Sequence, residues 1–217
     1  TLIGPNSEQL EDNITTATST GGARYLRENI AKIIKTVPLH KSIRTFAGLR
    51  PSSTSKDFII GPLDDENPNF INIASIESPG LASAPAIADY LIEHFIADRF
   101  CLKENPDAVM TRDKPIVVSE LSEEEREKLV RANSQYANIV CRCETISEGE
   151  IVSAIHEVCG ARSVKGIKKR VRPGMGKCQG GFCEPKVVEI LARELNCSPV
   201  DIVQDGQYSK ILERENR

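Results

Sequence analysis

No apolar run in this chain approaches the roughly 18 to 20 residues needed to span a bilayer, so no transmembrane helix is expected. The opening residues, Thr1-Leu2-Ile3-Gly4-Pro5, carry neither a basic lead-in nor a long apolar core, which argues against a signal peptide. Net charge is small: 28 Lys and Arg against 31 Asp and Glu leave −3, giving no global argument for nucleic acid or a membrane surface. A strand–GxGxxG–helix unit is missing, so nothing here cradles a dinucleotide pyrophosphate. There are no internal repeats. Cysteine is too sparse for a secreted disulfide scaffold: seven, an odd number, in 217 residues. These absences point to a reducing, cytoplasmic compartment. What remains is an ordinary soluble composition, 40% hydrophobic and 27% charged, long enough for two small domains or one medium one.

Four of the cysteines are clustered. Cys141-Arg142-Cys143 opens a stretch that Cys178-Gln179-Gly180-Gly181-Phe182-Cys183 closes. Each close pair acts as a two-toothed clip, and the intervening chain folds back so that four thiols converge. Three readings compete at this point: a [2Fe–2S] cluster on four thiolates, structural zinc on the same four, or no metal, with the cysteines reduced or in a disulfide. Zinc usually takes C-x2-C pairs, whereas C-x-C splays its thiols and suits a wider, two-iron centre. Between Gly160 and Gly180 lie Arg162, Lys165, Lys168, Lys169, Arg170, Arg172 and Lys177, with no acidic residue. Such cations would offset the negative charge of a reduced cluster. A nucleic-acid patch is the rival reading, but no aromatics are interleaved and the chain is net acidic. Cys101, Cys159 and Cys197 read as ordinary small side chains, buried or half-buried. The glycine-rich Gly174–Gly180 resembles a nucleotide loop only superficially. Gln179 stands where the dinucleotide fingerprint needs Gly, and Val171 and Cys178 break the phosphate-loop pattern. Its glycines are better read as letting backbone pack against a cluster.

Along the chain, residues 1–20 are polar, and a helix is expected at about 22–36, stopped by Pro38. Strands are expected at Ile43–Pro51, Phe58–Gly61 and Phe70–Ala74. The turn Glu77-Ser78-Pro79-Gly80-Leu81-Ala82-Ser83 leads into a helix from Ala86 to about Phe100. A helix start of small residues offers free N–H groups to a planar or anionic ligand. Residues 101–120 read as a linker. Ser122 to Glu125 and Ser147 to Glu150 are capping boxes, opening helices to about Asn133 and Val158. Pro185 suits the first turn of a helix ending near Leu195. The last twenty residues read as a tail.

Two stretches resemble known families. VCRCETISEGEI (140–151) with RPGMGKCQGGFC (172–183) resembles the small [2Fe–2S] domain of bacterioferritin-associated-ferredoxin type, in the branch fused to FAD-dependent dehydrogenases. The C-x4-C second pair is that branch's; the stand-alone ferredoxin has a shorter one. FAGLRP (46–51), DFIIGP (57–62) and INIASIESPGLASAPAIADY (71–90) resemble the C-terminal end of flavoenzymes related to D-amino-acid oxidase, most of all those of anaerobic glycerol-3-phosphate dehydrogenase type. The resemblance implies that Cys141, Cys143, Cys178 and Cys183 ligate the cluster and that Arg50 helps bind an anionic substrate group. It also implies that Glu77, Ser78, Pro79, Gly80, Leu81, Ala82 and Ser83 sit against a flavin ring, where the helix dipole stabilises negative charge.

The expectation is therefore an α+β chain: a partial sheet-plus-helix remnant of a flavoenzyme, then a small, mainly helical [2Fe–2S]-binding domain. The expected boundaries are 1–100 for the FAD and substrate part, 101–135 for a linker and charged helix, 136–200 for the cluster domain and 201–217 for the tail. Because GxGxxG is absent and the chain begins on Thr, it reads as a C-terminal fragment that holds the cluster but is inactive alone. The parent would oxidise sn-glycerol 3-phosphate with FAD and pass electrons to an acceptor protein or quinone-linked subunit. Two alternatives stand beside it: a dehydrogenase of 2-hydroxyglutarate or another hydroxyacid or amine, and a non-enzymatic zinc or iron–sulfur docking module.

Overall fold

A computed structural model describes residues 2–12 and 14–214, the Asp98 side chain excepted. The chain divides into two compact units, Thr1–Met110 and Thr111–Arg217.

In the first unit, helix α1 spans Thr20–Ile33. Ser19 starts it: its hydroxyl accepts the Gly22 N–H at 2.9 Å, satisfying one of the free donors of the first turn. The stretch Ile43–Pro51 is not the strand expected from its apolar content. It is irregular and exposed, because no second strand among the described residues completes its hydrogen bonds. Strands β1 (Ile59–Pro62) and β2 (Ile71–Ala74) do pair, antiparallel, with Ile60 opposite Ile73. Their turn is fixed by Asp64, whose carboxylate accepts the Asn67 N–H at 2.8 Å. Helix α2 runs Gly80–Leu91 and continues through a π-helical turn, Ile92–Ile96, into α3, Ala97–Phe100. It starts earlier than Ala86, and Pro85 lies inside it. Gly80 makes that start possible: a Cβ there would stand 2.4 Å from Ile76 Cγ2.

Packing in this unit is thin. Among the described residues of 2–110, only Gly22, Ser75 and Gly80 are buried. Ile59, Phe70 and Ile73 stay exposed. An open, mostly apolar groove of about 390 Å³ is lined by Phe58, Ile60, Ser83, Ala86, Ile87 and Tyr90.

The second unit has a real core. Helix α4 spans Glu123–Ala132 and α5 spans Glu148–His156; both capping boxes form, Ser122 with Glu125 and Ser147 with Glu150. A short hairpin, β3 (Ile139–Cys141) and β4 (Ile146–Ser147), precedes α5. Helices α6 (Val164–Val171) and α7 (Glu184–Leu195) pack on α5. Ile151, Ile155, Ile167, Leu191 and Ile202 are all at most 2% exposed. Each such side chain contributes about 1.5–3 kcal/mol by leaving water.

Three features depart from expectation. The basic run contains a helix, α6, whose Val164, Ile167 and Val171 turn one apolar side to the core while its charges face outward. Residues 202–204, expected to belong to a tail, are packed: Ile202 is in the core, and the Val203 and Gln204 carbonyls accept the Val164 and Lys165 N–H groups. The end of the expected linker is docked. Val118 is fully buried, its N–H donates to the buried Glu150 carboxylate at 3.2 Å, and its carbonyl accepts from Arg126.

A polar chain ties α5 to α7. Glu194 receives His156 Nε2 at 2.6 Å and Arg193 Nε at 2.9 Å, while Arg193 also reaches Glu148 at 2.6 Å. The His156 hydrogen bond, then that of Arg193, hold the Glu194 carboxyl below its ordinary 4.5. Burial pushes Glu148 up, but bonds from Asn138 and Arg193 outweigh it, so Glu148 is also lowered. A depressed folded-state pKa stabilises the fold above the unfolded value, and the gain disappears as pH falls through the folded value. The domain is expected to lose stability below about pH 4.5. Glu194→Gln should lower stability at neutral pH and flatten that acid slope, as followed by urea unfolding at several pH values. An unchanged slope would remove Glu194 from the account.

Candidate metal centre

The hairpin turn between β3 and β4 carries Cys141 and Cys143, and the loop between α6 and α7 carries Cys178 and Cys183. Cys141 ends β3 and Cys183 stands at the start of α7; both are 2% exposed. Cys143 and Cys178 are exposed, with their sulfurs 3.9 Å apart. Two thiolates on one tetrahedral metal with bonds of about 2.3 Å stand about 3.8 Å apart, so this pair is already at ligand spacing. Cys141 lies close enough to Cys183 to raise its pKa. The four thiols thus form an outer pair and an inner pair.

Their protonation differs. Backbone N–H groups of Gly180 and then Phe182, with the Cys143 thiol, hold Cys178 below the usual thiol value. Burial, then the neighbouring Cys141, push Cys183 up to about 11 despite a hydrogen bond from the Gly174 backbone. Sulfur is a weak acceptor, and backbone N–H groups beside both sulfurs suit sulfurs that carry charge. Cys183 therefore needs a bound cation to ionise, and a coordinating thiol is deprotonated outright.

The loop geometry brings the two halves together. Arg172, at φ +72°, caps α6 and donates from Nε to Glu144 at 2.9 Å, linking the loop to the hairpin turn. Gly176 lies flat on Cys143: a Cβ there would be 2.2 Å from the Cys143 Cβ and 3.1 Å from its sulfur. Gly180, at φ +95°, turns the chain so that its N–H reaches Cys178. Gly176→Ala should force the two loops apart. Overpacking costs about 1–3 kcal/mol, and iron and sulfide retained per chain should fall several-fold after reconstitution. Gly206→Ala, in open space, is the control. Equal retention in both variants would show that the contact does not matter.

Among the described residues, no three or more His, Cys, Asp or Glu side chains gather as a single-ion site. Four thiols gathered as two pairs, with backbone donors at the sulfurs, fit a two-iron cluster with two cysteines per iron. The basic run is largely engaged structurally. Arg162 and Arg170 bind carbonyls, Lys165 pairs with Asp205 at 2.6 Å, and Arg172 pairs with Glu144. Of the lone cysteines, Cys197 is half-buried as expected, but Cys101 and Cys159 are exposed, both in left-handed turns at chain reversals.

Sequence reasoning missed the Arg172–Glu144 clamp and the backbone donors of Gly174, Gly180 and Phe182. Backbone donors leave no residue-type signal. Elsewhere, Arg50 lies exposed on the irregular stretch before β1, Glu77 and Ser78 precede α2, and Gly80 to Ser83 form its first turn. Of that turn only Ser83 lines the apolar groove.

In class, residues 1–94 match the family model of an FAD dependent oxidoreductase, and residues 139–193 match that of a BFD-like [2Fe–2S] binding domain. Among individual proteins, it is 47% identical over 213 residues to the glycerol 3-phosphate dehydrogenase of Caloramator mitchellensis, covering 97% of this chain and 44% of that one. It is 35% identical over 94 residues to the glycerol 3-phosphate oxidase of Mycoplasma genitalium, covering 42% of this chain and 24% of that one. It is 41% identical over 64 residues to one of the subunits of the opine oxidase of Rhizobium meliloti, covering 30% of this chain and 12% of that one. The chain therefore spans less than half the length of each of these relatives. No solved structure matches. No helix among the described residues is long and apolar enough to cross a membrane.

Proposed function

We propose that this chain is part of an FAD-dependent dehydrogenase that oxidises sn-glycerol 3-phosphate, and that its second unit carries the electrons onward on a [2Fe–2S] cluster. The observation that supports this most is the thiol arrangement, two pairs with backbone donors at the sulfurs. The likeness to a glycerol 3-phosphate dehydrogenase over 97% of the chain supports the substrate. When bound, the cluster supplies one-electron chemistry and the flavin accepts the substrate's hydride.

The protein's own contribution is to hold and tune. Cys141 and Cys183 would anchor the cluster from the buried side, Cys143 and Cys178 from the surface. The Gly174, Gly180 and Phe182 N–H groups would offset sulfur charge. Arg50 would bind the substrate's anionic group, and residues 77–83 would face the flavin, with the α2 dipole opposing negative charge there. The electrons would go to a protein acceptor in the cytoplasm.

Visible absorption of anaerobically purified protein, with iron, sulfide and zinc assayed on the same sample, tests the cluster. Two irons and two sulfides per chain support the proposal. One zinc that iron and sulfide do not displace on reconstitution overturns it in favour of a structural site. In the full-length enzyme, Arg50→Ala should raise KM for glycerol 3-phosphate at least tenfold, as loss of a charge-assisted bond of about 1.5–3 kcal/mol implies. Unaltered kcat/KM would remove Arg50 from the site. The likeness to part of an opine oxidase favours a second reading, an amine or amino-acid dehydrogenase. Activity of full-length protein on an opine but not on glycerol 3-phosphate would establish it.

A further inference from the structure

Where the outer thiols reach the surface, the structure has an exposed apolar centre with a cationic rim. Phe182 is 78% exposed, and its backbone N–H lies on the Cys178 sulfur, so an exposed aromatic stands beside an outer thiol. Met175, 41% exposed, stands on the same loop, where Gln179 Nε2 holds its carbonyl at 3.2 Å. Neither belongs to the core. A large, exposed aromatic surrounded by polar groups is the pattern of a binding hot spot.

The charges around it are asymmetric. Arg142, Lys177 and Lys186 are exposed, in the hairpin turn, next to Cys178 and in the first turn of α7. The Lys168 stem lies along Gly174, adding a cation behind the loop. Of the acids nearby in sequence, Glu144 is neutralised by Arg172 and Glu184 is half-buried against Gly180, which leaves Glu189, exposed on α7 three residues beyond Lys186, as a carboxylate at the edge of the rim. The whole chain is net −3, so its distant field repels an acidic surface. At 0.1 M salt that field is screened beyond about 10 Å, and the rim alone acts on a docked partner.

We propose that Phe182 and Met175, rimmed by Arg142, Lys177 and Lys186, form the docking face for the electron acceptor, and that the acceptor presents an apolar centre ringed by carboxylates. This rests on the cluster assignment above. It goes further in fixing which surface is used and the chemistry of the partner. One electron leaves the reduced centre and one-electron reduction of the acceptor consumes it, so no further reagent is needed.

The test uses the cluster-loaded chain with two carriers of opposite charge: rubredoxin, small and acidic, and cytochrome c, basic. Each is mixed with it at low salt with a carbodiimide, which joins lysine to carboxylate at contact distance, and products are mapped by mass spectrometry. Lys177 and Lys186 are expected to link to rubredoxin carboxylates. Oxidation of the reduced protein by rubredoxin should slow several-fold between roughly 100 mM and 500 mM salt, where the distant net-charge field is already screened and only the rim contacts remain to be weakened. The double variant Lys177→Glu/Lys186→Glu should abolish that salt effect. Phe182→Ser should slow oxidation about tenfold at constant salt, with its visible spectrum checked for intact cluster. Should Phe182→Ser lose the cluster, Phe182→Leu and the lysine variants decide. Faster oxidation by cytochrome c, slowing with salt, or links that avoid both lysines, would overturn the docking face. A chain without iron and sulfide would instead overturn the function on which it rests.

Discussion

Cys183→Ser is expected to give a protein with no visible absorbance and iron and sulfide near zero per chain. The expectation follows from position. The Cys183 sulfur lies under the loop, 2% exposed, at the start of α7, and is paired with Cys141 rather than with solvent. A serine oxygen there is a hard ligand in place of a soft one, and water cannot take its place as it could at the outer pair. No other thiol is positioned to substitute, since Cys159 sits exposed at the turn after α5 and Cys197 lies beyond the far end of α7. Because cluster binding is also folding free energy, the variant should unfold at lower temperature than the loaded wild type and close to the metal-free protein. Cys197→Ser should keep its absorbance. Retention of full absorbance by Cys183→Ser would end its assignment as a ligand.

The reason such a specific expectation is available lies in what sequence encodes well. Both capping boxes are local, four-residue signals, and both form. The helix after Pro185 is announced by one residue type at one position. The thiol pairs are covalently close, so their convergence needs only that the chain fold back. Other features were hidden because they depend on partners distant in sequence. Ile43–Pro51 has strand-like content but no neighbour to pair with. Helix α6 was read by its charge, and its three apolar residues at helical spacing became meaningful only opposite α5 and α7. Ile202 looks like one apolar residue in a polar tail until it is seen closing the core beneath α7 and α6. The Val118–Glu150 bond joins residues 32 apart and could not be read from either end. At the centre itself, the two thiol pairs were legible and the backbone donors beside them were not, because backbone N–H groups belong to conformation rather than composition.

The same contrast between local pattern and distant partners predicts how the two units behave when separated. Residues 111–217 are expected to fold alone, in one cooperative thermal transition, with the cluster raising the midpoint. Their core holds Ile151, Ile155, Ile167, Leu191 and Ile202 essentially out of water, and Leu191→Ala should cost about 2–5 kcal/mol. Residues 1–110 are expected to show no cooperative transition and strong binding of an apolar dye. Their described residues bury no large apolar side chain, and a two-stranded hairpin with thinly packed helices is marginal without a covered face. Hydrogen exchange should separate the halves most clearly, with protection reaching the global unfolding free energy only in the second. Ile59, Phe70, Ile73 and the groove between Phe58 and Tyr90 are the apolar surface whose covering would stabilise this unit. Slow exchange at Ile60 and Ile73 in residues 1–110 alone would show that this unit needs no such cover. If exchange there slows only when residues 1–110 are joined to further chain, the apolar face is an internal contact.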